Sequence, residues 1–295
     1  MKDFARTLIA LDLSPMDRKI MDMLQLVKPI LDIRKAYFLH IMPDFTLPKD
    51  VDVEFQKLFA PEYPTDEKVK DKIALDVAEA LGNWPGLETS VEVREGKPYQ
   101  KLLHWTEVKE IDLLLLGHKQ ESEGSGIAAK RVARNSKCNV LFVPDQFEGP
   151  IQKILVPIDF SDNSARALKT ALAFQKQLDN VEIHCLYIID LPPTDYYMRP
   201  TVNSGFFKVL QESATKAYEE FVERHQFDTA NLKANFVENV YNNITTHIST
   251  FAENHQIDMI IMGAKGHSAI ESFVFGSVTE RLVNRNKINP IMIVR

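Results

Sequence analysis

Three glycines and a serine stand close together near the end of the chain, although the 295 residues include only 11 glycines. They are Gly263, Gly266, Gly276 and Ser277, within IDMIIMGAKGHSAIESFVFGSVTERLV at 257–283. Glycine costs backbone entropy, so a cluster outside a plain turn indicates that another group approaches the backbone closely. A nucleotide phosphate chain is such a group, because loop and helix amides can surround an anion.

The predicted elements place these glycines at one edge of a sheet. Gly263 directly follows the apolar strand predicted at 257–262, and Ser277 lies at the start of the helix predicted at 276–286. Ligands of open parallel sheets bind at the carboxyl ends of the strands. The free amides and the positive dipole end of a helix N-terminus attract phosphate there.

An aspartate completes the candidate site. Asp159 ends the strand predicted at 153–158, where its carboxylate can accept hydrogen bonds from ribose hydroxyls or an adenine amine. The alternative is that Asp159 caps the following helix, for which Ser161 and Asp162 are also good N-caps. The spacing excludes two better-known phosphate loops, because neither G-x4-G-K-[ST] nor G-x-G-x-x-G after a first strand occurs.

The chain repeats itself. Three pairs of strings match: RTLIALDLSPMDRKIM (6–21) with KILVPIDFSDNSARAL (153–168), EIDLLLLG (110–117) with QIDMIIMG (256–263), and NVLFVP (139–144) with PIMIVR (290–295). The offsets are 153 − 6 = 147, 256 − 110 = 146 and 290 − 139 = 151. A nearly constant offset indicates two similar halves, the first about five residues shorter before its last strand.

Each half alternates strands and helices. In the second half we predict strands near 153–158, 183–189, 233–238, 257–262 and 290–294, and helices at 161–178, 207–225, 242–255 and 276–286. Nearly continuous apolar strands are typical of parallel sheets covered by helices on both faces. The predicted fold class is therefore α/β, with two tandem doubly wound, Rossmann-like parallel sheets of five strands. The polar segment PDQFEGPIQ divides the chain into domains 1–147 and 148–295.

These strings resemble the universal stress protein family over nearly the whole chain. Its nucleotide-binding signature fits Gly263-x2-Gly266-x9-Gly276-Ser277, and ILVPIDFSDNS resembles its opening strand and loop. For ATP-binding members, the resemblance implies an adenosine pocket at the first two strands and phosphates in the glycine loop. The implied cofactor is ATP, or ADP or AMP, with or without magnesium. The implicated residues are Pro157, Asp159, Ile188, Met262, Gly263, Gly266, Gly276, Ser277 and Val278.

The first half departs from this signature. It keeps Asp12 and Gly117, but Gln120 replaces the second glycine, and Glu121 and Glu123 stand where phosphates would lie. Two like charges about 5 Å apart repel by roughly 3 kcal/mol at an effective dielectric of ~20. We therefore expect that the first domain does not bind ATP and serves as a packing partner.

Composition excludes several classes of protein. A formal net charge of −6 disfavours a nucleic-acid-binding surface. No segment approaches the roughly 18 apolar residues of a membrane span, and the short N-terminal apolar run is not typical of a signal peptide. We expect a cytoplasmic protein. Cys138 and Cys185 lie in apolar strings and are expected to be buried and unpaired. No histidine or cysteine spacing predicts a metal site.

Three functions remain open from the sequence. The first is a stress-response protein that binds an adenine nucleotide in its C-terminal domain as a signalling or regulatory module. The second is a slow ATPase or self-phosphorylating enzyme, which we consider the weaker hypothesis because no set of catalytic residues accompanies the loop. The third is an interaction scaffold without a ligand. Segments 139–143 and 290–294 are predicted to pair as an internal pseudo-dimer, and a homodimer is a further possibility.

Overall fold

A computed structural model describes residues 4–42, 66–82, 84–119, 125–190, 200–266 and 275–295. The chain forms two compact units, 2–138 and 139–295. Gln120, Glu121 and Glu123, on which the expectation for the first domain depends, lie outside the described residues. No helix in the described part of the chain is long and apolar enough to cross a membrane. Cys138 and Cys185 are both buried and no disulfide joins them, as predicted.

The first unit has four parallel strands in the order β3-β2-β1-β4. Its elements are β1 (Arg6–Leu11), α1 (Met16–Leu31), β2 (Lys35–Met42), α2 (Asp66–Leu81), β3 (Glu88–Glu95), α3 (Pro98–Val108), β4 (Leu113–His118) and α4 (Ser125–Asn135).

The second unit has six strands in the order β5-β10-β9-β6-β7-β8. Its elements are β5 (Asn139–Pro144), β6 (Lys153–Pro157), α5 (Asp162–Gln177), β7 (Glu182–Ile189), α6 (Pro200–His225), β8 (Leu232–Glu238), α7 (Ile244–Asn254), β9 (Met259–Gly263), α8 (Ser277–Arg285) and β10 (Ile291–Val294). All neighbouring strands from β10 to β8 are parallel. The predicted α/β class and the parallel sheets are confirmed.

The central strands are apolar because helices cover both faces. Ile154, Leu155 and Val156 of β6 are each fully buried, as are Ile260 and Ile261 of β9. A side chain of this size gains about 1.5–3 kcal/mol on full burial. The unbroken apolar runs therefore fix these segments at the centre of the sheet, with the polar loops at its edges.

The helix boundaries follow local capping chemistry. The Ser161 hydroxyl accepts from the Ser164 N–H at 3.3 Å and begins α5, as predicted, and Asn243 caps α7 in the same way. The helix α6 begins at Pro200, seven residues before the predicted start at 207. Proline is well suited to a first helical position, whereas the predicted helix began only at residue 207.

The pairing predicted between 139–143 and 290–294 is present inside the second unit. Strand β5 runs antiparallel to β10, with Phe142 opposite Ile291 and Val140 opposite Ile293. By its contacts this strand belongs to the second unit, whereas the sequence repeat assigns it to the first half. The domain boundary at 147 stays a prediction.

The end of β9 packs very closely on the first turn of α5. A Cβ atom added to Gly263 would lie 2.8 Å from the Asn163 Cβ and 2.9 Å from its carbonyl carbon. The corresponding glycine of the first unit, Gly117, would instead meet the Met16 side chain, with its Cγ at 2.5 Å. Gly263 therefore faces backbone, which cannot move aside, whereas Gly117 faces a side chain with several rotamers.

The first turn of α1 contains a half-buried carboxylate. Asp17 accepts the N–H groups of Asp12 at 3.0 Å and Leu13 at 2.9 Å. Burial raises the pKa of Asp17 from 3.8 to about 6, and the nearby Asp12 charge adds to this rise, against the two backbone hydrogen bonds. The charged form of Asp17 is therefore held in the folded unit at a free-energy cost.

We predict that Gly263→Ala destabilises the second unit by about 2–3 kcal/mol, because the added methyl group strikes helix backbone. Gly117→Ala should cost about 1 kcal/mol, because Met16 can change rotamer. Hydrogen exchange of peptides from β9 and α5, or from β4 and α1, measures each unit separately. Equal costs for the two substitutions would contradict this explanation.

The raised pKa of Asp17 predicts the sign of a pH effect. Because the pKa is higher in the folded state, Asp17 contributes stability at low pH and loses it as the pH rises from about 4 to about 6. Between pH 4.5 and 7.5 the stability of the wild type should fall by about 2 kcal/mol relative to Asp17→Asn. Both tryptophans, Trp84 and Trp105, lie in the first unit, so urea unfolding followed by tryptophan fluorescence reports it selectively.

Asp71→Asn is the matched control, because Asp71 is an exposed aspartate in α2. Its stability difference from the wild type should not change over this pH range. A pH-independent difference for Asp17→Asn as well would show that Asp17 does not titrate in this range.

Candidate functional site

A cleft of about 400 Å³ opens at the carboxyl ends of β6, β7 and β9 in the second unit. All nine residues predicted from the sequence line it. The lining comprises Pro157, Ile158, Asp159, Ser164, Leu186, Tyr187, Ile188, Asp190, Ile244, Ile248, Met262, Gly263, Lys265, Gly266, Gly276, Ser277, Val278 and Thr279. The structure therefore brings together nine predicted residues, of which Pro157 and Val278 are 121 positions apart (278 − 157 = 121).

The strand order produces this cleft. Strand β6 lies between β7 and β9, and the chain leaves β6 toward β7 but leaves β9 toward β10, on the other side. At such a switch point the loops that follow two neighbouring strands diverge and leave a crevice. Asp159 follows β6 and Lys265 follows β9, and both line the crevice.

The Asp159 carboxylate is held in place by its own loop. Its Oδ1 accepts from the Ser161 N–H at 3.1 Å and from the Ser161 hydroxyl at 2.6 Å. The cap of α5 is Ser161 itself, so Asp159 does not cap the helix directly. A Cβ atom added to Gly266 would lie 2.4 Å from Asp159 Oδ2. The absence of a side chain at Gly266 thus leaves room for the second carboxylate oxygen.

The three glycines have different structural roles. Gly263 allows β9 to approach α5 closely, and this packing leaves no room for a side chain at residue 263. Gly266 makes room for Asp159. Gly276 donates its N–H to the Ala264 carbonyl at 2.8 Å and closes the loop at its base. All three glycines were predicted to let an anion approach the backbone. Each of them also has a contact within the protein.

The amides at the start of α8 supply anion-binding capacity. Gly276 is the N-cap and has no side chain to cap the helix. Within the described residues, the N–H groups of Ser277, Val278 and Thr279 therefore have no hydrogen-bond partner. Such groups carry the positive end of the helix dipole. They line the cleft, as does Lys265, the cation of the loop.

Thr279 fixes the helix to the strand edge. Its hydroxyl lies 3.2 Å from the Gly263 carbonyl and 3.3 Å from the Ala264 carbonyl, to which it donates. Sequence reasoning missed Thr279. The available signal was a hydroxyl residue two positions after Ser277, in the first turn of a helix that has no capping side chain.

Two carboxylates, Asp159 and Asp190, also line the cleft. Asp190 follows β7 and accepts from the Asn239 side-chain amide at 2.5 Å. Tyr187 stacks on Phe160 with ring centroids 4.6 Å apart. Burial raises the pKa of the Tyr187 phenol, and the Asp190 and Asp159 charges add to this rise, so the phenol stays protonated. The cleft thus combines helix amides and a lysine with two carboxylates, of which Asp159 lies against Gly266, the residue next to that lysine.

Apolar side chains form one wall of the cleft. Ile244 and Ile248 lie one helical turn apart on α7, and Ile188 and Met262 come from the sheet. A flat, largely apolar group fits such a wall, with its polar edge toward the carboxylates. The α7 residues could have been found from their i,i+4 spacing, but nothing in the sequence assigned that face to a ligand.

The same position in the first unit is filled by internal contacts. The Lys119 ammonium donates to Asp12 Oδ2 at 2.5 Å, and the Ser14 hydroxyl donates to the other oxygen of Asp12. Burial raises the pKa of Asp12, but these hydrogen bonds outweigh it and the pKa lies below its ordinary value. Asp17 stands where the second unit has Ser164 (17 + 147 = 164). The two aspartates thus place a second negative charge where the second unit has a neutral hydroxyl.

Among the described residues, no three histidine, cysteine, aspartate or glutamate side chains come together as a metal site.

Comparisons with known proteins agree with the fold and the repeat. The profile of the Universal stress protein family matches residues 6–144 and again 150–295. "Universal stress protein MJ0531" from Methanocaldococcus jannaschii is 29% identical over 150 residues, which is 50% of this chain and 84% of that protein. "Universal stress protein MJ0577" from the same organism is 28% identical over 49% of this chain and 94% of its own length.

A crystal structure of a universal stress protein from Archaeoglobus fulgidus resembles the whole chain. It covers 99% of this chain and 98% of its own, with a TM-score of 0.65 and 18% identity, a likeness that concerns the fold. Because the family profile matches both halves almost completely, the chain belongs to the Universal stress protein family and carries two of its domains in tandem.

Proposed function

We propose that the second unit binds an adenine nucleotide, ATP or its relatives ADP and AMP, and acts as a signalling or regulatory module of the stress response. One observation supports the proposal: a single cleft is lined by the first residues of α8, by Lys265, by the carboxylates Asp159 and Asp190, and by apolar side chains. A nucleotide offers a partner for each of these groups, with phosphates for the helix amides and the lysine, ribose and base donors for the carboxylates, and a flat base for the apolar wall.

The charges assign each part of the ligand to a part of the cleft. Phosphates meet the N–H groups of Ser277, Val278 and Thr279. The ribose hydroxyls or the adenine amine donate to Asp159, whose Oδ1 is already engaged and whose Oδ2 faces the loop at Gly266. The base lies against Ile188 and the α7 isoleucines. This is the arrangement that the resemblance to ATP-binding family members implies.

We propose binding rather than turnover. The described residues that line the cleft include no histidine or cysteine. A general base must reach the atom that it deprotonates, and in the proposed arrangement the lining carboxylates instead accept hydrogen bonds from ribose and base. Magnesium prefers oxygen ligands, so a bound magnesium ion would take them mainly from the nucleotide phosphates and water.

The first unit is proposed to be a packing partner without a nucleotide. Asp12 is engaged by Lys119 and Ser14, and Asp17 adds a second, half-buried carboxylate beside it. A ligand would have to displace the ion pair of Lys119 with Asp12 there and approach two carboxylates.

We expect isothermal titration of the full chain with ATP to show micromolar affinity that Gly266→Ala weakens at least tenfold. The added methyl group would lie 2.4 Å from Asp159 Oδ2 and must displace that carboxylate. Gly149→Ala is the matched control, because a Cβ atom there meets nothing within 4 Å. Unchanged affinity in Gly266→Ala would contradict the assigned site, and no binding by the wild type would leave the scaffold hypothesis.

The same titration should give one nucleotide per chain. Asp159→Ala should weaken this binding at least tenfold, to an affinity that titration still measures, whereas Asp12→Ala should leave it unchanged, because Asp159 lines the cleft and Asp12 does not. Two sites of similar affinity would contradict the proposal for the first unit. Chromatography after several hours with ATP distinguishes binding from slow hydrolysis, since hydrolysis would yield ADP.

A further inference from the structure

The loop that carries Asp159 has a strained backbone. Phe160, the next residue, has a φ of 65°. This left-handed conformation costs an L-residue roughly 1–2 kcal/mol, and for a bulky side chain it is a true outlier. A conformation of this kind persists only where the surrounding structure holds it. The contacts of Phe160 therefore show what fixes the loop.

Helix α6 supplies two of these contacts. The Phe160 ring lies 5.8 Å from the ring of Phe221, which is almost fully buried. Three residues later on α6, the Arg224 guanidinium donates from Nη2 to the Phe160 carbonyl at 3.0 Å. Residues three positions apart share one face of a helix. Thus one face of α6 holds both the ring and the carbonyl of Phe160.

The Phe160 carbonyl and the Ser161 N–H belong to the same peptide group. That group is planar and trans, so its C=O and N–H point in opposite directions and can only rotate together. Arg224 holds the carbonyl end, and the N–H end donates to Asp159 Oδ1 at 3.1 Å. Rotation of this peptide group would break both hydrogen bonds. A cationic donor on the carbonyl also polarises the peptide and strengthens the N–H as a donor.

We propose that Arg224 is a positioning residue of the nucleotide cleft: through the Phe160–Ser161 peptide group it orients the Asp159 carboxylate that meets the ligand. This role rests on the proposed function. It connects the carboxyl end of α6, a helix of 26 residues, to the ligand site, although Arg224 is not one of the residues that line the cleft. In the first unit the corresponding carboxylate, Asp12, is held directly by Lys119.

The test is a double-mutant cycle on the full chain. Arg224→Met keeps the length of the side chain and removes its donors, and we expect it to weaken ATP binding about fivefold by titration. In an Asp159→Ala background the same substitution should change the affinity by less than twofold, because the carboxylate that Arg224 orients is gone. Lys216→Met, at an exposed cation on the same helix, is the matched control and should leave the affinity unchanged.

A second measurement makes the proposal independent of nucleotide binding. In Arg224→Met, hydrogen exchange at the Ser161 amide should accelerate at least tenfold without ligand, while amides in the middle of α5 keep their protection. Equal effects of Arg224→Met with and without Asp159, or an unchanged Ser161 amide, would overturn the proposal. If the wild type binds no nucleotide, the proposed function fails, and the Ser161 amide alone decides whether Arg224 orients the carboxylate.

Discussion

The parallel pairing of β6 with β9 is the constraint on which the site depends. Ile154 and Leu155 of β6 stand beside Met259 and Ile260 of β9, and all four side chains are buried. Because paired strands that run in parallel end at the same edge, two loops that are distant in sequence must face each other. Apolar burial alone thus brings the carboxylate of one loop to the glycines and the lysine of the other. The polar groups of the cleft contribute chemistry, and the buried strands determine where that chemistry occurs.

The two units show how one framework yields different sites. Both keep an aspartate after the first strand, followed by a residue with positive φ: 58° at Leu13 and 65° at Phe160. Both keep a lysine two residues after the matching glycine, Gly117 or Gly263. In the first unit this lysine pairs with the aspartate, and Asp17 accepts the N–H groups of Asp12 and Leu13. In the second unit a serine occupies the place of Asp17, and Asp159 and Lys265 line an open cleft. A few side chains therefore distinguish the loop of the first unit from the loop that we propose binds a nucleotide.

Much of this arrangement could be predicted because it follows from pattern. Continuous apolar runs predict buried parallel strands, and Gly-Ser before an amphipathic segment predicts a helix start. The cleft lining includes every residue that these patterns and the family resemblance together implicated. The contacts of individual glycines could not be predicted. Gly263 faces the backbone of Asn163, a residue 100 positions earlier, and nothing in the local sequence encodes that neighbour. Thr279 and Asp190 were missed for a related reason, since their partners become neighbours only when the sheet forms.

The hydrogen bond from Arg224 to Phe160 belongs to the same class of long-range contact, and it explains how a strained residue is tolerated beside the site. A left-handed phenylalanine is unfavourable by itself, so the loop must gain at least as much from its contacts as the strain costs. The Tyr187 stack, the Phe221 contact and the Arg224 donor supply these contacts from β7 and α6. What the strain provides is a peptide group whose N–H points at the Asp159 carboxylate before any ligand arrives. A preorganised carboxylate loses less entropy on binding than a mobile one, so under the proposed function packing energy holds Asp159 in the geometry that receives the nucleotide.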